Sequence, residues 1–151
     1  MGQMPEELID FIQELKSIED RSERIQLLVS VAEKYEKCVP KGVTKPFLEA
    51  DKIPGCESEV YMWGVPQPDG TLKFCFAVEN SQGISAMLLA YLLDTYLSNT
   101  PLMQIMNMSS EFVDEIFGPE LSMGKELGFR MMIEKVKLLA KSHLKQENSE
   151  S

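Results

Sequence analysis

The pair Asp69-Gly70 constrains the fold more than any other feature. Pro66-Gln67-Pro68 precedes it and the alternating run Thr71-Leu72-Lys73-Phe74-Cys75-Phe76-Ala77-Val78 follows. Asp-Gly at this place is a hairpin-turn signal, and strict alternation marks a strand with one buried face. Leu72, Phe74, Phe76 and Val78 share one face, whereas Lys73, Cys75 and Ala77 share the other. Upstream, Val60-Tyr61-Met62-Trp63-Gly64-Val65 is rich in β-branched and aromatic residues and supplies the partner strand. The remaining periodic stretches read as helices. The chain is therefore an α+β domain whose small antiparallel sheet packs against helices on one side.

Pro5 followed by Glu6 and Glu7 is a helix start, with carboxylates near the positive end of the dipole. Leu8, Phe11, Ile12, Leu15 and Ile18 then fall on one face. After the charged cluster Glu19 to Arg24, a second amphipathic helix carries Ile25, Leu28, Ala32 and Tyr35 and ends before Pro40. The run Ala86 to Leu93 is apolar nearly all round and predicts the most buried helix. Thr100-Pro101 opens a short helix, Ser110 to Phe117 forms another halted by Gly118-Pro119, and Ser122 begins the last. Leu127, Met131, Val136, Leu139 and Ala140 are its expected buried side. No repeat or linker divides the chain, so residues 1–145 read as one domain and the polar stretch 146–151 as a disordered tail.

Between Cys38 and Pro54 periodicity is lost, and Pro40, Gly42, Pro46 and Pro54 punctuate a long surface connection, a kind of segment that is more often functional than idle. It ends in Lys52-Ile53-Pro54-Gly55-Cys56-Glu57-Ser58-Glu59. Pro54 biases Ile53 away from helix and Gly55 adds backbone freedom, so the chain bends sharply before Cys56 and then enters the first strand. A thiol on a loop held by a strand is presented, which makes Cys56 the candidate reactive atom.

Composition narrows the classes. A net charge of −9 lacks the basic stripe that a phosphate backbone requires, so nucleic acid is not expected as a partner. No apolar run approaches bilayer length, and the first residues lack the basic flank and apolar core of a signal peptide. Cys38, Cys56 and Cys75 are an odd set without close spacing, which argues against a disulfide framework and for a reducing compartment. The expected location is the cytoplasm, or an organelle stroma after removal of a transit segment. Cys38 and Cys75 read as small packing residues, and His143 as a solvated residue. A cysteine hydrolase wants a histidine beside the nucleophile, and zinc wants paired Cys or His ligands; neither pattern is near Cys56.

The string Ile-Pro-Gly-Cys-Glu-Ser-Glu-Val from Ile53 to Val60 resembles the Val-Pro-Gly-Cys-Gln-Ser-Gln-Val-Trp signature of the SufE/CsdE family of sulfur acceptors. The likeness extends from about Glu19 to Ala140. It includes Arg24-Ile25-Gln26-Leu27-Leu28, Thr100-Pro101 with Ile105, and Leu121-Ser122-Met123-Gly124-Lys125-Glu126-Leu127-Gly128-Phe129. Here Glu57 and Glu59 replace glutamines, Tyr61 takes the tryptophan position, and Lys125 stands where the family has arginine, keeping charge without the planar fork.

The resemblance implies a SufE/IscU-like fold and a protein that takes persulfide sulfur from a cysteine desulfurase of SufS or CsdA type onto Cys56. It would stimulate that enzyme and pass the sulfur to an iron–sulfur scaffold of SufBCD type. Pyridoxal phosphate would belong to the desulfurase, and the chain itself would bind no cofactor or metal. Gly55, Glu57, Ser58 and Lys125 are the expected loop support and partner contacts. Carboxylates at Glu57 and Glu59 disfavour the thiolate, offset in part by Lys52 and Lys125, so activation is expected on docking. Docking is also expected to swing the loop outward. Two alternatives stay open, an IscU-type scaffold using the three cysteines and an adaptor that carries no sulfur, and so does homodimerisation.

Overall fold

The computed structural model describes residues 4–54, 59–79, 83–118 and 123–150, with side chains of the last segment described from 127 to 147. Its elements are α1 (Glu6–Ser17), α2 (Arg21–Ala32), a 3-10 turn (Glu49–Asp51), β1 (Val60–Pro66), β2 (Leu72–Val78), α3 (Ile84–Leu97), α4 (Leu102–Met106), α5 (Phe112–Phe117) and α6 (Met123–Glu150). The expected α+β architecture holds: β1 and β2 form a two-stranded antiparallel sheet with Trp63 opposite Cys75 and Gly64 opposite Phe74. Gly70 takes φ +87° in the connecting turn, while Asp69 Oδ1 accepts from the Thr71 amide at 3.0 Å and from its hydroxyl at 2.5 Å. Those two bonds hold the Asp69 carboxyl below its ordinary pKa.

Alternation along the strands sorts the sheet into two faces. Val60, Met62, Leu72, Phe74, Phe76 and Val78 join the main core with α3, where Ala86, Leu88, Leu89, Ala90, Leu92, Leu93 and Leu97 are buried. Helix α6 adds Phe129, Met132, Ile133, Val136 and Ala140 to that core. At Gly64 a Cβ would stand 3.3 Å from Leu72 Cδ1 and in ordinary contact, 3.5 Å, with Leu139 Cδ1 of α6, so an added side chain would press first on Leu72.

Three details differ from the periodicity reading. Ile25 of α2 is 41% exposed, because the helix seats itself through Leu27, Leu28, Val31 and Ala32 instead. Leu127 of α6 is 56% exposed, and the seam runs through Phe129, Met132 and Ile133. Helix α6 continues to Glu150 across the polar stretch read as a tail.

A two-stranded sheet leaves edges, and the outer edge of β2 is closed group by group. Asn99 N donates to Leu72 O at 2.8 Å, Phe74 N to Ser98 Oγ at 2.9 Å, and Cys38 N to Phe76 O at 3.0 Å. The Tyr35 hydroxyl donates to Phe76 O at 3.0 Å and accepts from Val78 N at 2.8 Å.

The face of the sheet away from the helices is covered by the connection itself. Residues 38–54 fold back as a strap, and Cys38, Val39, Val43 and Phe47 pack on Tyr61, Trp63, Cys75 and Ala77. This second, smaller core explains why the connection has no helical or strand period: its apolar residues are spaced to meet the sheet, and Pro and Gly set the bends between them.

Candidate functional site

The strap delivers the chain to the segment that bears the cysteine motif, and both arms of that segment are fixed. On the incoming arm Ile53 is 1% exposed and donates its amide to Val60 O at 2.9 Å. Lys52 pairs with Tyr61 as an isolated antiparallel bridge, so the arm runs beside the start of β1. The 3-10 turn before it is tied down from two sides: Trp63 Nε1 donates to Asp51 Oδ2 at 3.1 Å and Lys135 Nζ of α6 to Ala50 O at 3.0 Å. On the outgoing arm Glu79 N donates to Glu59 O at 2.8 Å, extending the ladder past the last paired residues of the strands. Gly55, Cys56, Glu57 and Ser58 fall between these anchors and lie outside the described residues, as does the side chain of Lys125.

Charges cluster around the arms. The Tyr61 hydroxyl donates to Glu59 Oε1 at 2.5 Å, and this bond, with loss of solvent and the charges of Glu59, Glu49 and Glu79, pushes the phenol up to about 12. Glu79 accepts from Lys37 and Lys45, each at 2.8 Å, which holds its carboxyl below the usual range and raises the Lys45 ammonium. The same two ammonium groups stand 5.7 and 5.9 Å from the Phe47 ring centroid. Phe47 in turn lies 5.0 Å from Tyr61 and 5.2 Å, edge-on, from Trp63. Tilted and edge-on ring contacts and two cation–π contacts thus converge on Phe47, whose two lysines are also the partners of Glu79. Sequence periodicity passes over Phe47, because it sits in a stretch with no period.

Beside Pro54 a cleft of 410 Å³ separates the strap from α6, lined by Glu49, Lys52, Pro54, Met131, Glu134 and Leu138 among others. Leu138 is 57% exposed there, and Leu48 of the strap is 69% exposed.

Two expectations for single residues are corrected. Cys38 and Cys75, read as isolated packing residues, are joined as a disulfide with Cα atoms 4.9 Å apart. The fold-back of the strap causes this, because the Cys38 amide bond to Phe76 O sets Cys38 beside Cys75. The available signal was the position of Cys75 on the strand face with Lys73 and Ala77, away from the helices. His143, read as solvated, is packed on α6 with a side-chain exposure of 14%, its Nε2 3.4 Å from Glu147 Oε1. Among the described residues no three His, Cys, Asp or Glu side chains group to hold a metal ion, and no helix is long and apolar enough to cross a membrane.

The fold is thus an α+β domain with one short hairpin, a strap over the outer face of its sheet, and hydrogen-bonded arms on either side of residues 55–58. A family model described as "SufE: Fe-S metabolism associated domain" matches residues 9–140, and the chain belongs to this family. The family is associated with cysteine desulfurase partners. A search of curated proteins finds no match. Among solved structures, the solution structure of a hypothetical protein from Thermus thermophilus is similar at 19% identity and a TM-score of 0.73. The alignment covers 94% of this chain and 98% of that one, and so shows the same fold at full length.

Proposed function

We propose that the protein accepts persulfide sulfur on Cys56 from a cysteine desulfurase and delivers it to iron–sulfur cluster assembly. The observation that carries this reading is the clamping of both arms of the Cys56 segment, Ile53 to Val60 on one side and Glu59 to Glu79 on the other. A carrier thiol must be aimed by rigid flanks and must enter a donor site, and a short segment between fixed anchors meets both demands. The step is an exchange without net redox change. The Cys56 thiolate attacks the terminal sulfur of the donor's Cys–S–SH, forming Cys56–S–SH, and the donor cysteine leaves as thiolate. Pyridoxal phosphate, which generates the donor persulfide, belongs to the partner, of SufS or CsdA type, and the onward acceptor is a SufBCD-type scaffold.

Glu59 shapes the reactivity. Its carboxylate is held by the Tyr61 hydroxyl at the end of the segment, with Glu49 and Glu79 near enough to act on the same phenol. Carboxylates at Glu57 and Glu59, beside Cys56 in the sequence, disfavour a resting thiolate, so the thiol ionises on docking, when the partner brings positive or dipolar groups. Docking moves the segment between its anchors toward the partner while the anchors stay. The cleft between strap and α6, with Leu48 and Leu138 exposed beside it, is the apolar surface adjoining that entry point. The expected place of action is the cytoplasm or an organelle stroma, where the Cys38–Cys75 bond would meet thiols able to reduce it.

The carrier reading needs Cys56 alone, whereas a scaffold that uses all three cysteines would have to free Cys75, which is 3% exposed within β2. Desulfurase turnover tests it against a non-carrying adaptor. Wild-type protein accelerates alanine release from cysteine and Cys56→Ser does not. Equal acceleration by the variant would establish the adaptor instead.

A further inference from the structure

We infer that Cys38 and Cys75 form a thiol–disulfide exchange site at which low-molecular-weight thiols of the glutathione class attack Cys38, and that this bond clamps the strap onto the sheet. The two sulfurs differ in access. Cys75 is 3% exposed in the middle of β2, opposite Trp63, whereas Cys38 is only half-buried and lines an open cleft of 170 Å³. Lys34, Tyr35, Tyr91 and Asp94 share that cleft, which is wide enough for the end of a small thiol but not for a folded partner. Asp94 is already engaged by Lys73, and Lys34 and Glu36 both stand exposed at the rim, so an incoming thiol meets a balanced pair of charges there.

Exchange therefore has a direction. An RS⁻ nucleophile bonds to Cys38 Sγ, the Cys38–Cys75 bond breaks, and Cys75 leaves as thiolate and takes a proton from solvent. A second RS⁻ attacks the R sulfur of the mixed disulfide, releasing RSSR and the Cys38 thiolate, so two electrons pass from two thiols to the protein disulfide. Oxidised glutathione drives the reverse.

The consequence lies in what the bond spans. The sequence separation of 37 residues encloses the whole strap and the first strand, so the covalent tie fixes the start of the strap against the sheet. After reduction the strap is held by Phe47 against Tyr61 and Trp63, by the Glu79 ion pairs, and by the hydrogen bonds of its 3-10 turn. Reduction loosens it without unfolding the helical core. This site is independent of the carrier reading, since neither cysteine needs Cys56.

The test uses the full chain carrying Cys56→Ser, so that the exchanging sulfurs are Cys38 and Cys75 alone. The protein is equilibrated in graded ratios of reduced to oxidised glutathione, quenched with acid, alkylated and mapped by peptide mass. The expected result is a Cys38–Cys75 cross-linked peptide at the oxidising end, replaced by two alkylated peptides at the reducing end. Early quenching traps glutathione on Cys38 at a level on the order of tenfold above Cys75. Trypsin cleavage after Lys41 of the strap rises on the order of tenfold on reduction, reporting the released clamp. Two alkylated cysteines across the whole range, glutathione trapped equally on Cys75, or strap cleavage unchanged by reduction would overturn the inference.

Discussion

Replacing Ile53 by alanine tests whether the cysteine segment is aimed by a buried anchor. Ile53 is 1% exposed and belongs to the main core, although it lies in the strap immediately before Pro54. The substitution removes three buried carbons, worth about 0.8 kcal/mol each by transfer, and leaves a cavity, so the cost is about 3 kcal/mol. The backbone bond from Ile53 N to Val60 O is not deleted, so the loss is one of packing rather than of the ladder. For a chain of this length about 3 kcal/mol lowers the melting temperature by about 6–12 °C. Urea melts of wild type and variant measure it directly. Hydrogen exchange at the Ile53 amide should rise by more than the global change, because the arm loses its own contact. Sulfur loading should slow at temperatures where the variant remains folded. A stability change below about 0.5 kcal/mol would show that Ile53 does not seat the arm, and the argument for an aimed segment would fail.

Glu59→Gln should bring the Tyr61 phenol down from about 12 toward its ordinary value, since the bond to the Glu59 carboxylate is its largest cause; ultraviolet difference titration reads the phenolate. In wild type the raised phenol contributes stability that is complete below pH 10 and is lost as pH rises toward about 12, so alkaline melts should lose that component in the variant. Glu79 has the opposite sign. Its depressed carboxyl contributes stability above its unfolded value of 4.5, lost as pH falls, so Glu79→Gln should be less stable at neutral pH and flatter across the acid limb. Phe47→Ala should cost about 2 kcal/mol, reduced from the buried-phenylalanine range because the ring is half-exposed, and should raise acrylamide quenching of Trp63, the single tryptophan.

The hairpin was legible because its information is local: alternation over seven residues and an Asp-Gly turn specify both register and face. The family was legible for the same reason, from the short string Ile53 to Val60. Elements whose roles depend on distant contacts were not. Ile25 and Leu127 satisfy a helical stripe whose later members, Leu28 and Ala32 in α2 and Val136 and Ala140 in α6, do pack on the core, yet each sits near the start of its helix and stays exposed. The Cys38–Cys75 bond and the convergence on Phe47 arise from a strap whose path is set by Pro40, Gly42 and Pro46 and by its fit to the outer sheet face. No periodicity records such a path. His143 follows the same rule, since its packing depends on what α6 meets near its C-terminal end and not on its polar neighbours Lys141 and Lys145.

The most direct test of sulfur acceptance is intact mass after incubation with a cysteine desulfurase, cysteine and pyridoxal phosphate. Wild-type protein should gain one sulfur atom that maps to the peptide containing Cys56 and that a reductant removes, and Cys56→Ser should gain none. An added sulfur on the variant, or none on the wild type, would contradict the account.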